Sequence, residues 1–432
     1  MLKKMVISLL VVLLLFTSNL FAGGQEESSI VEKEEVTIML HPVLYSATGG
    51  DNGLITKFSE ETGIEVEVLT GPLDQILEKT LLDFVSNTSS IDVFVYTDTA
   101  MHSGLSDYLL PLDEYIAKAG EDYQFNDILN SAVQLNTLNG KVFGIPFRYG
   151  VYMLYYRQDL FDKYGVSVPE TWEEFNNVAK VITEGLRADG INDVYGLVYP
   201  AETGQYLFEN FKTWLAGHGG VIADENGNVK LNSPEAIAAL NDFIKPYKNG
   251  WVSPDAPAMA VDKSIAAFQN GKAAMTLCYS PYWGLFTDPE KSVVSDTVNW
   301  ALTPHSQGVD YGRSSVSGWQ MLINKNAEYT DAAWKLVQYL TEADSALEMA
   351  LNYSNGPIRE SVLTSPEYLD KFPVARGWAQ SFAASDSLLP GGHEKISEIM
   401  DIIGREVSSA FLGEKTSEEA LNDAQKAVEN IF

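Results

Sequence analysis

A single cysteine, Cys278, in 432 residues excludes an intramolecular disulfide, so a hydrophobic core rather than covalent staples has to hold the fold. Positive charge is scarce: 29 Lys and Arg stand against 59 Asp and Glu, for a formal net charge of -30. Nucleic acid and anionic membrane surfaces, which attract cationic faces, are therefore poor partners for this chain. Past the N-terminal apolar stretch there is no second run near the ~20 apolar residues that a spanning helix requires. Catalytic signatures are missing as well: there is no G-x-S-x-G elbow, no H-E-x-x-H helix and no Walker loop. His41, His102, His218, His305 and His393 show no metal-ligand spacing. Asp224-Glu-Asn-Gly-Asn228 carries the oxygen ligands of a calcium loop but lacks glycine at the sixth position. Neither a metal nor a cofactor is expected, and no short-period repeat suggests a solenoid or propeller.

What is present is apolar mass, 45% hydrophobic and 11% aromatic, enough for two or three domain-sized units. Lys3 and Lys4 precede an apolar run from Met5 to Phe16, twelve residues and too short to span a bilayer. This predicts a signal peptide over 1–24, with Ala22 and Gly24 forming the small-x-small site and Gln25 starting the mature chain. No cysteine stands there for acylation, so the expected product is periplasmic or secreted and non-lipidated. Residues 25–35, QEESSIVEKEE, are charged and lack aromatics, which predicts a disordered acidic lead-in.

From Val36 the hydrophobic period switches between two and 3.6. Strands are predicted over 36–40, 64–69 and 91–96, with helices over 52–62 and 73–85 between them, and such alternation argues for a parallel sheet covered on both faces. The pattern returns with strands at 142–145 and 153–156. Thr171 and Glu174 form a capping box, Asn226-Gly227 signals a hairpin between 221–222 and 229–231, and Ser233-Pro234 supply an N-cap and first helical residue. Trp172, Trp214 and Trp334 lie in helical stretches with apolar neighbours and read as core. His393, in Pro390-Gly-Gly-His393, reads as part of a turn.

The segment from Gly140 to Phe175, GKVFGIPFRYGVYMLYYRQDLFDKYGVSVPETWEEF, resembles a signature stretch of the extracellular solute-binding proteins of ABC transporters. The closest group is family 1, which is carbohydrate-binding and maltose-binding-protein-like. Phe268 to Met275 looks like that family's F-x-x-G-K-A-A-M block, and Ser317-Gly318-Trp319 with Met321 to Lys325 resembles its glycine-led strand. Ala332 to Leu340 is similar to the following helix, Gly356-Pro-Ile-Arg359 matches G-x-P-x-R loosely, and Leu412 to Leu421 resembles the start of the terminal helix. The blocks occur in family order.

The resemblance implies an α/β, two-lobe periplasmic binding protein fold with a hinge and an interlobe ligand cleft. Crossings would fall near Tyr149, near Tyr311 to Arg313 and near Asn355 to Pro357, beside Gly150, Gly312 and Gly356. Both lobes are then discontinuous: 36–148 plus 313–356, and 149–312 plus 357–432. Sugars present weakly apolar ring faces to aromatics and hydroxyl edges to paired donors and acceptors. His41 and Tyr45 follow the first strand, Tyr96 and Asp98 the third, and Arg148 and Tyr149 follow Pro146. Gln205, Tyr206 and Phe208 fall in an expected cleft loop. Ser280-Pro281-Tyr282 stands where relatives stack an aromatic on the ligand, with Trp283 beside it, and Trp319 follows the later Ser-Gly. Met400 occupies the place of a stacking tryptophan in maltose-binding protein, which weakens a maltodextrin assignment and leaves the sugar class open.

The function expected is capture of a mono- or oligosaccharide by a monomer and its delivery to ABC permease subunits in the inner membrane, without catalysis. Alternatives are a binding protein for glycerol phosphates or polyamines, or a secreted glycoside hydrolase. Hydrolysis needs two carboxyl groups held about 5 to 10 Å apart, a geometry no spacing reveals.

Overall fold

The computed structural model describes residues 33–97, 105–202, 205–385, 387–389, 393 and 395–432; the expected leader and most of the lead-in lie outside them. The chain opens as β1 (Glu35–Leu40), α1 (Pro42–Ala47), α2 (Leu54–Thr62), β2 (Glu65–Thr70), α3 (Leu73–Ser86) and β3 (Val93–Thr97). β1 pairs in parallel with both β2 and β3, as the alternating pattern predicts. Side chains alternate between two cores: Val36, Ile38, Leu40, Val93 and Val95 enter one, while Met39, Phe94 and Tyr96 enter another on the opposite face. Burial on both faces is why these strands read as near-continuous apolar runs.

The next strand departs from expectation. β4 (Gly144–Arg157) is one strand of 14 residues where the sequence predicts two short ones, and residues 141–142 pair instead with 137–138 in a separate ribbon. It is followed by β5 (Tyr195–Val198), β6 (Ala273–Tyr279), β7 (Val298–Ala301) and β8 (Val316–Ile323). Up to Val151, β4 pairs antiparallel with β8, which in turn joins β3. From Tyr152 it pairs with β6, and from Leu154 with β7 on its other side. One strand therefore ends the first sheet, ordered β2-β1-β3-β8-β4, and runs inside the second, ordered β7-β4-β6-β5. Pro146 makes the sequence look broken here, because proline has no N–H for a ladder. Its half of β4 is a sheet edge with one neighbour, where proline is tolerated.

The second lobe packs helices around its sheet. α4 (Trp172–Ala188) opens with the predicted capping box: Thr171 Oγ1 accepts from Glu174 N at 3.3 Å, and the Glu174 carboxylate accepts from Thr171 N at 3.1 Å. α5 (Gln205–Gly217) and α6 (Pro234–Lys248) follow, the latter N-capped by Ser233 with Pro234 at its first position. The expected hairpin at Asn226-Gly227 shrinks to one bridge, Ala223 to Val229. The Asp224 carboxylate takes the N–H groups of Asn226 and Asn228, holding a tight loop in place of strands. α7 (Ile396–Phe411) and α8 (Ser417–Glu429) complete this core, with Met400 buried inside it. Trp172 and Trp214 are buried and stack at 4.1 Å, and Trp334 is buried in the first lobe, so all three tryptophans are core as predicted. His393 sits against the Phe432 ring at 4.5 Å.

The loosely matched Gly356-Pro-Ile-Arg359 block has a structural role. Arg359 is 0% exposed. Its Nε donates to Thr341 O at 2.8 Å, Nη2 to Tyr123 O at 2.9 Å and Nη1 to Gln124 O at 2.9 Å, with Asp127 Oδ2 at 3.3 Å. Thr341 and Tyr123 end the helices Thr330–Thr341 and Asp113–Tyr123, so one guanidinium satisfies orphan carbonyls at two negative helix ends. Arg359→Ala should lower unfolding free energy by about 3–5 kcal/mol in urea titration, because it strands those carbonyls and Asp127. Arg359→Lys should recover only part of the loss, since an ammonium cannot fork between them.

Candidate ligand-binding cleft

Three chain segments meet where β4 changes partners. A Cβ on Gly150 would stand 2.8 Å from Pro281 Cδ, and one on Gly356 would stand 2.5 Å from Tyr149 O and 3.1 Å from Pro281 Cγ. Close approach of backbone, rather than an unusual φ, requires glycine at these two positions. Polar contacts tie the same segments: Asn355 Nδ2 donates to Phe147 O at 3.0 Å, and Tyr155 Oη donates to Ser280 O at 3.2 Å. Beside the segment at Tyr311 to Arg313, Gly312 O accepts from Ser381 Oγ at 2.6 Å and Arg313 Nη1 donates to Ala216 O at 3.1 Å.

Parity along β4 decides which side chains face the junction. Tyr149, Val151, Met153 and Tyr155 enter one core, so Arg148 and Tyr152 belong to the opposite face. Trp319 pairs with Arg148 across the ladder and Gln320 pairs with Pro146, leaving Phe147 as the extra residue of a bulge. The bulge sets Trp319 on the Arg148 face and Gln320 on the Tyr149 face. His41, N-cap of α1, packs its ring on Trp319 at 5.8 Å while its Nδ1 accepts from Val43 N at 3.2 Å. Half-buried His41, Arg148 and Trp319 thus form one wall. Burial, and then the positive charge of Arg148, hold the His41 imidazole below its ordinary 6.5. No carboxylate of the described residues pairs with Arg148; its charge acts on His41 and on half-buried Tyr282, which brings the segment after β6 to the same place.

A second polar group centres on Tyr279, the last residue of β6. Its ring meets Tyr152 at 4.2 Å, and its hydroxyl donates to Glu209 Oε2 at 2.9 Å. Lys212 Nζ lies 2.9 Å from Glu209 Oε1, one turn along α5, and both side chains are about nine-tenths buried. Burial first, then the Glu209 charge, push the Tyr152 hydroxyl well above the ordinary phenol range, so it stays a neutral donor. Sequence reading missed Glu209 and Lys212, although two charges three residues apart within the apolar run Tyr206 to Ala216 were a visible signal.

Several expected contacts lie elsewhere. Tyr96 is 1% exposed on the far face of β3, with its hydroxyl on Thr80 Oγ1. Tyr149 is 1% exposed and bonded to Asn136 and Gln320, because adjacent strand residues cannot share a face with Arg148. Phe208 is buried inside α5, where the sequence suggested a loop, and takes Lys212 Nζ over its ring at 5.5 Å. These three are core. Tyr45 is half-buried with its hydroxyl on Asp51 at 2.7 Å, and Trp283 stacks on buried Tyr155 at 5.8 Å. Gln205 and Tyr206 begin α5. Asp98 lies outside the described residues.

A two-lobed α/β unit with an aromatic, hydrogen-bonding junction is the architecture of a binding protein. The family model for bacterial extracellular solute-binding proteins matches residues 46–347, and the chain belongs to that family. A probable ABC transporter-binding protein of Deinococcus radiodurans is 27% identical over 323 residues, 73% of this chain and 74% of the relative. The mannitol-binding protein of Pseudomonas aeruginosa is 26% identical over 328 residues, 71% of this chain and 73% of its own. Maltose-bound MalE3 of T. maritima superposes with a TM-score of 0.78 at 26% identity, covering 92% of this chain and 100% of that one. A ribitol complex from Agrobacterium radiobacter K84 gives 0.78 at 24% identity, covering 92% and 99%, a likeness of fold. Among the described residues no helix is long and apolar enough to cross a membrane, and no cluster of His, Cys, Asp or Glu could hold a metal ion.

The His41 environment gives a direct test. In the folded chain its NMR titration midpoint should fall below 6.5, and Arg148→Gln should move it back toward 6.5 by removing the nearby charge. With the folded value depressed, stability from this site is full above 6.5 and falls as acidification protonates the unfolded chain first.

Proposed function

We propose that this chain is the substrate-binding component of an ABC importer, capturing a carbohydrate between its lobes and delivering it to permease subunits in the inner membrane. The observation that carries this reading is the wall of His41, Trp319 and Arg148, where an aromatic surface and a fork of donors stand side beside the strand that joins the lobes. Aromatic faces suit sugar C–H faces, and guanidinium donors suit hydroxyl oxygens. Relatives named for mannitol and maltose support a sugar or polyol ligand. The protein acts as a periplasmic, non-lipidated monomer and does not turn its ligand over. Its lobes are 36–148 plus 313–356 and 149–312 plus 357–432, and ligand bound to both favours a closed state. The ligand contacts proposed are His41, Arg148, Trp319 and Tyr282, with Glu209 and Tyr279; Asp98 and the residues Gln205 and Tyr206, which precede Glu209 in the sequence, are proposed with them.

Added sugar ligand should raise the melting temperature, because ligand that binds only the folded chain adds RT ln(1 + [L]/Kd). Product accumulating beyond the amount of protein would show an enzyme instead. Trp319→Ala and Tyr282→Ala should each weaken calorimetric affinity about tenfold or more, the loss of ~1–3 kcal/mol of aromatic contact. Trp172→Ala should leave affinity intact and cost about 3–5 kcal/mol of stability, because it empties the stack against Trp214.

A further inference from the structure

Among the described residues the charged groups at the junction are not balanced. Beside Tyr279, Glu209 and Lys212 neutralise each other at 2.9 Å, and Tyr279 donates a hydrogen bond to the Glu209 carboxylate. On the near wall Arg148 is half-buried on β4 and no carboxylate of the described residues pairs with it. Its neighbours among the described residues include Trp319 directly across the ladder, His41 on Trp319, and Tyr282 from the segment after β6. The contrast with Arg359 is instructive, because that guanidinium spends its donors on three carbonyls and a carboxylate. A partly desolvated guanidinium without an anion is costly, and its planar fork matches a carboxylate with two parallel hydrogen bonds.

Resting on the carbohydrate-binding reading above, we infer that the ligand is an acidic sugar, a uronate or aldonate whose carboxylate docks on Arg148 while its ring or chain lies against Trp319 and His41. The nearby Glu209 carboxylate is already neutralised by Lys212 and so does not repel an anion. A neutral His41 lets the Arg148 wall supply a ring acceptor or donor alongside the single positive charge. The acid enters as the intact anion and no bond is made or broken.

Calorimetric titration of the full mature chain with matched pairs separates the possibilities: D-glucuronate against D-glucose, D-galacturonate against D-galactose, and D-mannonate against D-mannitol. At least one acid should bind about tenfold or more tighter than its neutral partner, and its Kd should weaken as salt rises. Arg148→Gln should abolish that preference, and Arg148→Lys should restore it in part, with unchanged melting temperatures confirming that both variants fold. Neutral sugar or polyol bound as tightly as its acid overturns the acidic-ligand inference and leaves the carbohydrate-binding function standing. No binding by any neutral or acidic sugar in a broad panel overturns the function itself, and the inference with it.

Discussion

Continuity of one strand is the constraint on which the molecule depends. Gly144–Arg157 is paired with β8 at one end and with β6 and β7 at the other, so the ladder hydrogen bonds of two sheets share a single backbone. Neither sheet can shift register without dragging the other, because a one-residue slip would turn every side chain of the strand to the wrong face. The place where the strand changes partners is crowded by Pro281 and the 355–357 segment, and only glycine at Gly150 and Gly356 lets the backbones come that close.

The same strand sorts chemistry from packing. Strict alternation sends Tyr149 and Tyr155 inward and leaves Arg148 to the junction, and the bulge at Phe147 keeps Trp319 level with it. Adjacent residues of similar polarity thereby acquire opposite roles. Tyr149 becomes a buried hydrogen-bonding post between Asn136 and Gln320, while half-buried Arg148 has no carboxylate partner among the described residues.

Charge is handled in two ways inside a strongly acidic chain. Where the structure needs a buried cation it saturates it, as Arg359 does at the ends of two helices, or neutralises it, as Glu209 does for Lys212. Such arrangements hold local geometry because breaking them strands a buried charge. At the junction Arg148 has no carboxylate partner among the described residues, and its charge reaches a neighbouring group: burial and the Arg148 charge hold the His41 pKa below its ordinary value.

Much of this was determined by local pattern alone. The β-α-β-α-β opening, the capping box at Thr171, the proline-started helix at Ser233-Pro234 and the core role of Trp172, Trp214 and Trp334 each depend on residues within a few positions of one another. Family-ordered blocks carried the two-lobe architecture, and Arg148, Trp319, Tyr282 and His41 were visible as aromatic and polar residues at strand ends. Tertiary structure decided the rest. Pro146 hid a continuous strand because edge position, a property of the sheet and not of the residue, makes proline harmless there. Tyr96, Tyr149 and Phe208 have the composition of ligand contacts, yet sheet face and helix packing bury them. Glu209, Lys212 and Tyr279 come together only because α5 lies against the end of β6, a contact between residues seventy positions apart that spacing along the chain cannot express.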